Sequence, residues 1–106
     1  MPKELVSGHR YELQNFEFPA EDGQILQFIH KEPVTEGSTE LKTVSNGTTN
    51  EEVLKVLIAR VQFVMCGKFP CRENSIVITK LEEALMWLEK RTRDRVARGV
   101  EGKQIK

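Results

Sequence analysis

No apolar run in this sequence approaches the ~20 residues of a membrane-spanning helix, so no membrane partner is expected. The first ten residues, MPKELVSGHR, contain no apolar stretch of the kind that directs export, and they are not read as a signal peptide. Net charge is absent as well. The 16 Lys and Arg residues cancel 16 Asp and Glu, which argues against a non-specific nucleic-acid coat or a basic membrane-surface binder. Cysteine is scarce: Cys66 and Cys71 are the only two. Without an export signal, reduced thiols in a cytoplasm are the simplest reading. The only histidines, His9 and His30, have no metal-ligand spacing relative to those cysteines, so neither a metal nor a cofactor is expected. Gly-rich phosphate loops and nucleophile elbows are missing too. The cysteines lack the His and acid neighbours of a catalytic thiol. Glu82 and Glu83 are adjacent on a helix, where neighbouring side chains diverge, so they form surface and not a catalytic carboxylate pair. No enzyme is expected. Hydrophobic residues make up only 39% of 106 positions, little for a chain that builds its own core, and burial by oligomerisation is expected instead.

What is present describes an α+β chain: a small N-terminal antiparallel β-sheet followed by a long antiparallel two-helix hairpin. The length fits a single domain over 1–106, with a strand-rich part at 11–44 and the hairpin at 49–100. Residues 1–10 are polar and expected to fray. Tyr11–Phe18, YELQNFEF, reads as a half-buried strand whose imperfect alternation calls for a bulge near Asn15. Asp22-Gly23 offers the positive φ that a hairpin turn uses. Gln24–Lys31, QILQFIHK, has apolar side chains on both faces, as in a strand covered on both sides. Pro33, Gly37 and Ser38 break the chain, and Glu40–Val44 suits a short third strand.

Thr49-Asn50-Glu51-Glu52 is a capping box, and Glu51 and Glu52 complement the positive end of the helix it opens. Val53, Leu54, Leu57, Ile58, Val61, Val64 and Met65 make an apolar stripe at helical spacing, closed by Gly67. Pro70 fits just before a second helix. That helix is expected to run from about Arg72 as far as Gly102. Its seam is Ile78, Leu81, Leu85 and Leu88, with Val77, Ala84 and Trp87 read as packing beside it. A short connection makes the pair antiparallel, with the strands expected against one side.

Beyond Leu88 the same face carries Thr92 and Arg95, with Arg91 and Arg98 at its margins. A core face does not absorb arginines without partners. Two readings stand. The arginines either form a solvated helix end that complements the dipole, or they meet an anion that guanidinium forks recognise. Asn74, at the opposite end of the helix, either caps it or helps hold an anion at its free amides. Phe63 and Phe69 flank the turn and either anchor it or stack on a purine. Asn74 and Arg91 stand seventeen residues apart, ~25 Å along one helix, so they share a small ligand only if two copies pack together. Helix–turn–helix DNA reading does not fit a second helix this long in a chain of zero net charge.

The segments TNEEVLKVLIARVQFV and KFPCRENSIVITKLEEALMWLEKRTRDRVARGVEG resemble the helical-hairpin family of small phage proteins that counter nucleotide-signalling immunity. The family includes Thoeris anti-defence and anti-CBASS proteins. The likeness covers Thr49 to about Lys103, and its most specific run is EEALMWLEKRTRDRVARGVEG. The anti-CBASS branch tends to begin with a helix, whereas this chain begins with strand-like segments and is more similar to the Thoeris branch. The resemblance implies a non-catalytic sponge in the cytoplasm of an infected bacterium. Such a protein sequesters a cyclic ADP-ribose isomer or a cyclic oligonucleotide at pockets between subunits of a dimer or hexamer. Phe63, Asn74, Arg91 and Arg95 match the family's ligand-contacting positions, with Phe69 a further carry-over. Some relatives also bind cyclic di- or trinucleotides at distinct sites, and the neighbourhood of Thr92 and Arg98 is the candidate for one. An oligomeric adaptor that binds no ligand is the alternative from another class.

Overall fold

A computed structural model describes residues 2–66 and 71–99. The chain divides into two compact units, Met1–Thr49 and Asn50–Lys106. The first is built from small antiparallel sheets and the second from two helices packed on each other, so the architecture is α+β.

In the first unit, β1 (Lys3–Val6), β2 (Arg10–Leu13) and β3 (Gln24–Gln27) form a three-stranded antiparallel sheet in that order. A second sheet pairs β4 (His30–Pro33) with β5 (Leu41–Ser45). Residues 3–10, expected to fray, instead form β1, a turn and the start of β2. Gly8, at φ 74, closes a turn in which the His9 N–H donates to the Val6 carbonyl at 2.9 Å, and β1 folds back on β2. A positive φ costs glycine little, and Ser7-Gly8 was the signal for this hairpin.

The strand expected over Tyr11–Phe18 stops at Leu13. Phe16 and Phe18 are exposed in the following loop, and Phe18 takes φ 55. Asn15 makes no strand bulge; its Nδ2 donates to the Asp22 carbonyl at 2.9 Å and ties the loop's two ends. Gly23 does not supply a positive φ. It is needed because a Cβ there would overlap the Leu13 backbone.

The strand expected over Gln24–Lys31 is divided between two sheets. The break falls at Phe28-Ile29, where Thr48 inserts. Thr48 N–H donates to the Gln27 carbonyl, and Ile29 N–H donates to the Thr48 carbonyl, each at 2.9 Å. Gly47 is pressed onto this junction, where a Cβ would lie 2.5 Å from the Gln27 oxygen. Aromatic contacts join the sheets. His9 and His30 stack with centroids 3.7 Å apart, and Tyr11 meets Phe28 edge-on at 6.1 Å.

In the second unit α1 spans Asn50–Cys66 and α2 spans Arg72–Ala97. Thr49 stands just ahead of α1, where the capping sequence places it. The expected terminator Gly67 and the expected Pro70 lie outside the described residues. The covered residues of α2 are Asn74, Ile78, Leu81, Leu85, Leu88, Thr92 and Arg95. They alternate steps of four and three, the narrow seam of two helices meeting along one line. On α1, Glu51, Leu54, Ile58 and Val61 repeat that rhythm with Val53 beside them. A seam this narrow leaves the wider apolar margins open: Val56, Leu57, Val77, Met86, Trp87 and Val96 are exposed. Among the described residues no hydrophobic side chain is fully buried.

The long helix is shorter than expected. It ends at Ala97, not near Gly102, because Gly99 takes φ 70 and its N–H turns back to the Val96 carbonyl at 3.0 Å. A left-handed glycine just past the last helical residue is a common helix stop. No helix among the described residues is long and apolar enough to cross a membrane.

Candidate ligand-binding groove

The start of α2 is capped by Cys71, not by Glu73 or Asn74. Cys71 is extended at φ −151, its Sγ accepts from the Asn74 N–H at 3.4 Å, and its carbonyl accepts from the Ser75 N–H at 3.2 Å. Sulfur is a weak acceptor, but its place is that of an ordinary N-cap side chain. Relieved of capping, the Asn74 side chain lies half-covered in the first turn. Phe63 sits in the last turn of α1 with 73% of its surface exposed. Both belong to the end of the hairpin where α1 finishes and α2 begins. Phe69 lies outside the described residues.

The other end of α2 carries the charge. Trp87, Lys90, Arg91, Asp94, Arg95 and Arg98 line one groove of about 550 Å³. Their spacing of three and four residues places all six along a single face. The volume falls within the range of small-molecule sites. Four cations and one carboxylate gather here, in a chain whose total charge is zero.

The four cations are not equivalent. Arg95 is 6% exposed, the one buried residue among those described, and it is not without a partner. Arg91 and Arg98 are exposed. Arg98 is also the C-cap, its N–H donating to the Asp94 carbonyl at 3.0 Å. Lys90 Nζ donates to Asp94 Oδ2 at 2.8 Å. That hydrogen bond and the charge of Lys90 hold the Asp94 carboxyl below its ordinary value, with smaller help from Arg93 and Arg98. Asp94 is therefore an anion in neutral water and neutralises part of the groove. Thr92 faces the seam, half-covered, beside Arg91.

The groove thus unites Arg91, Arg95 and Arg98 with Thr92 next to them. It does not include Phe63 or Asn74. Asn74 and Arg91 stand seventeen positions apart, ~25 Å along a continuous α2. The sequence reading missed Trp87, Lys90 and Asp94 as groove residues. Trp87 was placed with the packing face, yet it is 57% exposed. The available signal was the run Trp87, Arg91, Arg95 at intervals of four, one ridge of a helix. Chemically, the groove offers guanidinium forks, an ammonium and an indole face. These suit a flat, phosphate-bearing molecule. Among the described residues no three His, Cys, Asp or Glu side chains come together to hold a metal ion.

Residues 29–93 match the profile of a protein family described as the Acb2/Tad1 hairpin domain. The match takes in β4, β5, α1 and most of α2, including Phe63, Asn74, Arg91 and Thr92; Arg95 and Arg98 lie past its end. A protein named Thoeris anti-defense 1, from Bacillus phage SBSphiJ7, is 51% identical over 70 residues, which are 66% of this chain and 45% of the relative. The chain therefore spans less than half the length of that relative.

Proposed function

Because the chain belongs to the Acb2/Tad1 hairpin-domain family, we propose that it is a non-catalytic sponge for a cyclic ADP-ribose-type immune signal. It binds the signal in the cytoplasm of an infected bacterium and lets a phage evade Thoeris defence. The observation that carries this reading is the groove on α2, where a chain of zero net charge concentrates three arginines and a lysine around an exposed indole. Arg91 and Arg95 take the phosphates, Phe63 stacks on the base, and Asn74 fixes the ligand's orientation by hydrogen bonds. These groups lie at opposite ends of the hairpin, so the complete site forms where one copy's Asn74 meets another copy's Arg91. Phe69 serves as a further ligand contact. The exposed apolar margins of the two-helix seam supply the surface for that assembly, a dimer or a hexamer. Thr92 and Arg98 serve a second site that accepts cyclic di- or trinucleotides.

Capture and release test this reading. The protein is incubated with the cyclic ADP-ribose signal, freed of unbound ligand by filtration and heated, and the released nucleotide is identified by mass spectrometry. Intact signal is expected. Degraded signal means an enzyme. No captured nucleotide, with cyclic oligonucleotides tried as well, leaves an oligomeric adaptor.

A further inference from the structure

Trp87 stands out among the side chains of α2. It lies outside the seam, and more than half of it is exposed although it is the chain's largest apolar residue. Its neighbours one turn on are Lys90 and Arg91, and on a helix such positions bring Cβ atoms within about 5–6 Å. The indole face therefore opens into the groove beside two cations. Lys90 does not point there freely, because Asp94 holds its ammonium at 2.8 Å. A carboxylate in the middle of a basic groove weakens its pull on any anion, and it does so by occupying a cation one helical turn from the tryptophan.

We infer that Trp87 and Lys90 form a ring-and-phosphate subsite beside the arginines, and that Asp94 restrains it. The subsite takes a purine nucleotide: the Trp87 face covers the side of the base opposite the other copy's Phe63, and a phosphate oxygen replaces Asp94 on Lys90. Bare inorganic anions gain only the second contact and must displace Asp94 for it. A ligand that offers both ring and phosphate gains stacking as well. The restraint thereby sets selectivity for nucleotides over simple anions. This inference rests on the proposed nucleotide-binding function and adds residues that the sequence reading did not assign to it.

Trp87 is the only tryptophan in the chain, so indole emission reports this subsite alone. The full chain is titrated with cyclic ADP-ribose, with cyclic di-AMP and with pyrophosphate, following emission and, in parallel, heat. Either nucleotide should quench Trp87 while pyrophosphate leaves it unchanged. Trp87→Leu should weaken nucleotide binding by about tenfold, the loss of one stacked base, while Trp87→Phe keeps most of it. Asp94→Asn should tighten binding about two- to fivefold, as expected for removing one charge several ångströms from a phosphate in water. Nucleotide binding seen by heat, with unquenched emission and wild-type affinity in Trp87→Leu, overturns the subsite and leaves the sponge reading standing. Emission that follows protein concentration and ignores ligand also overturns it, placing Trp87 under a second copy. No heat with either nucleotide overturns both.

Discussion

If one copy supplies Asn74 and another supplies Arg91, two crippled proteins should repair each other. In an Arg91→Ala assembly every site lacks the guanidinium. In an Asn74→Ala assembly every site lacks the amide. Each loss removes a hydrogen bond to a charged ligand, about 1.5–3 kcal/mol, or roughly ten- to 150-fold in affinity. Arg91 is exposed on α2, so its removal should move fold stability by no more than about 0.5 kcal/mol, and melting should stay near wild type. The two variants are then mixed in equal amounts, unfolded and refolded together. A site that draws its two residues from different copies is intact when the Asn74 donor is an Arg91→Ala chain and the Arg91 donor is an Asn74→Ala chain. Random assembly makes that so for about a quarter of sites, whatever the closed symmetry. Titration calorimetry should recover that fraction of high-affinity sites from two proteins that have none alone. No recovery from a demonstrably mixed assembly refutes the shared site. Wild-type affinity in either single variant refutes that residue's role before any mixing.

Other outcomes follow from particular residues. Arg95→Ala, unlike Arg91→Ala, should lower melting stability by about 1–3 kcal/mol as well as binding, because it removes a buried, partnered side chain from the seam; loss of binding with unchanged melting would contradict that. Gly47→Ala should destabilise the strand-rich unit by about 1–3 kcal/mol, since the new methyl meets the Gln27 and Phe28 backbone at 2.5–2.7 Å; a thermal melt checks it, and a neutral effect would mean that the junction yields. Asp94 is held ionised by Lys90, and a carboxyl with a lowered folded value gives up its contribution only as pH falls through that value. Between about pH 5 and pH 8, above the ordinary carboxylate range, the affinities of wild type and Asp94→Asn should run parallel; convergence near pH 5 would show Asp94 taking up protons there.

The helices were legible because their signals are local. The Thr49 cap, the apolar repeat and the turn at Pro70 each constrain only a few neighbouring residues, and α1 and α2 begin within a residue or two of where these place them. The end of α2 was misplaced because Arg98-Gly99 reads like another turn of a polar helix, and only the left-handed φ of Gly99 marks the stop. The strands were harder. QILQFIHK carries no break in its own pattern; what divides it is Thr48, twenty residues away, inserting its backbone between Gln27 and Ile29. Phe16 and Phe18 look like strand residues, yet Asn15 and Asp22 close a loop around them. The arginine cluster could be read from helical projection. Trp87 lies on the same ridge in that projection, but its exposure could not be read, because it depends on how narrow the α1–α2 seam is, and that width is set by the facing helix.

Native mass spectrometry of the protein with a cyclic ADP-ribose signal tests the central claim most directly, since it counts copies and weighs the ligand in one spectrum. The account predicts bound nucleotide of unaltered mass, found on species of two or more copies. A liganded monomer, or an added mass that belongs to a cleaved product, would contradict it.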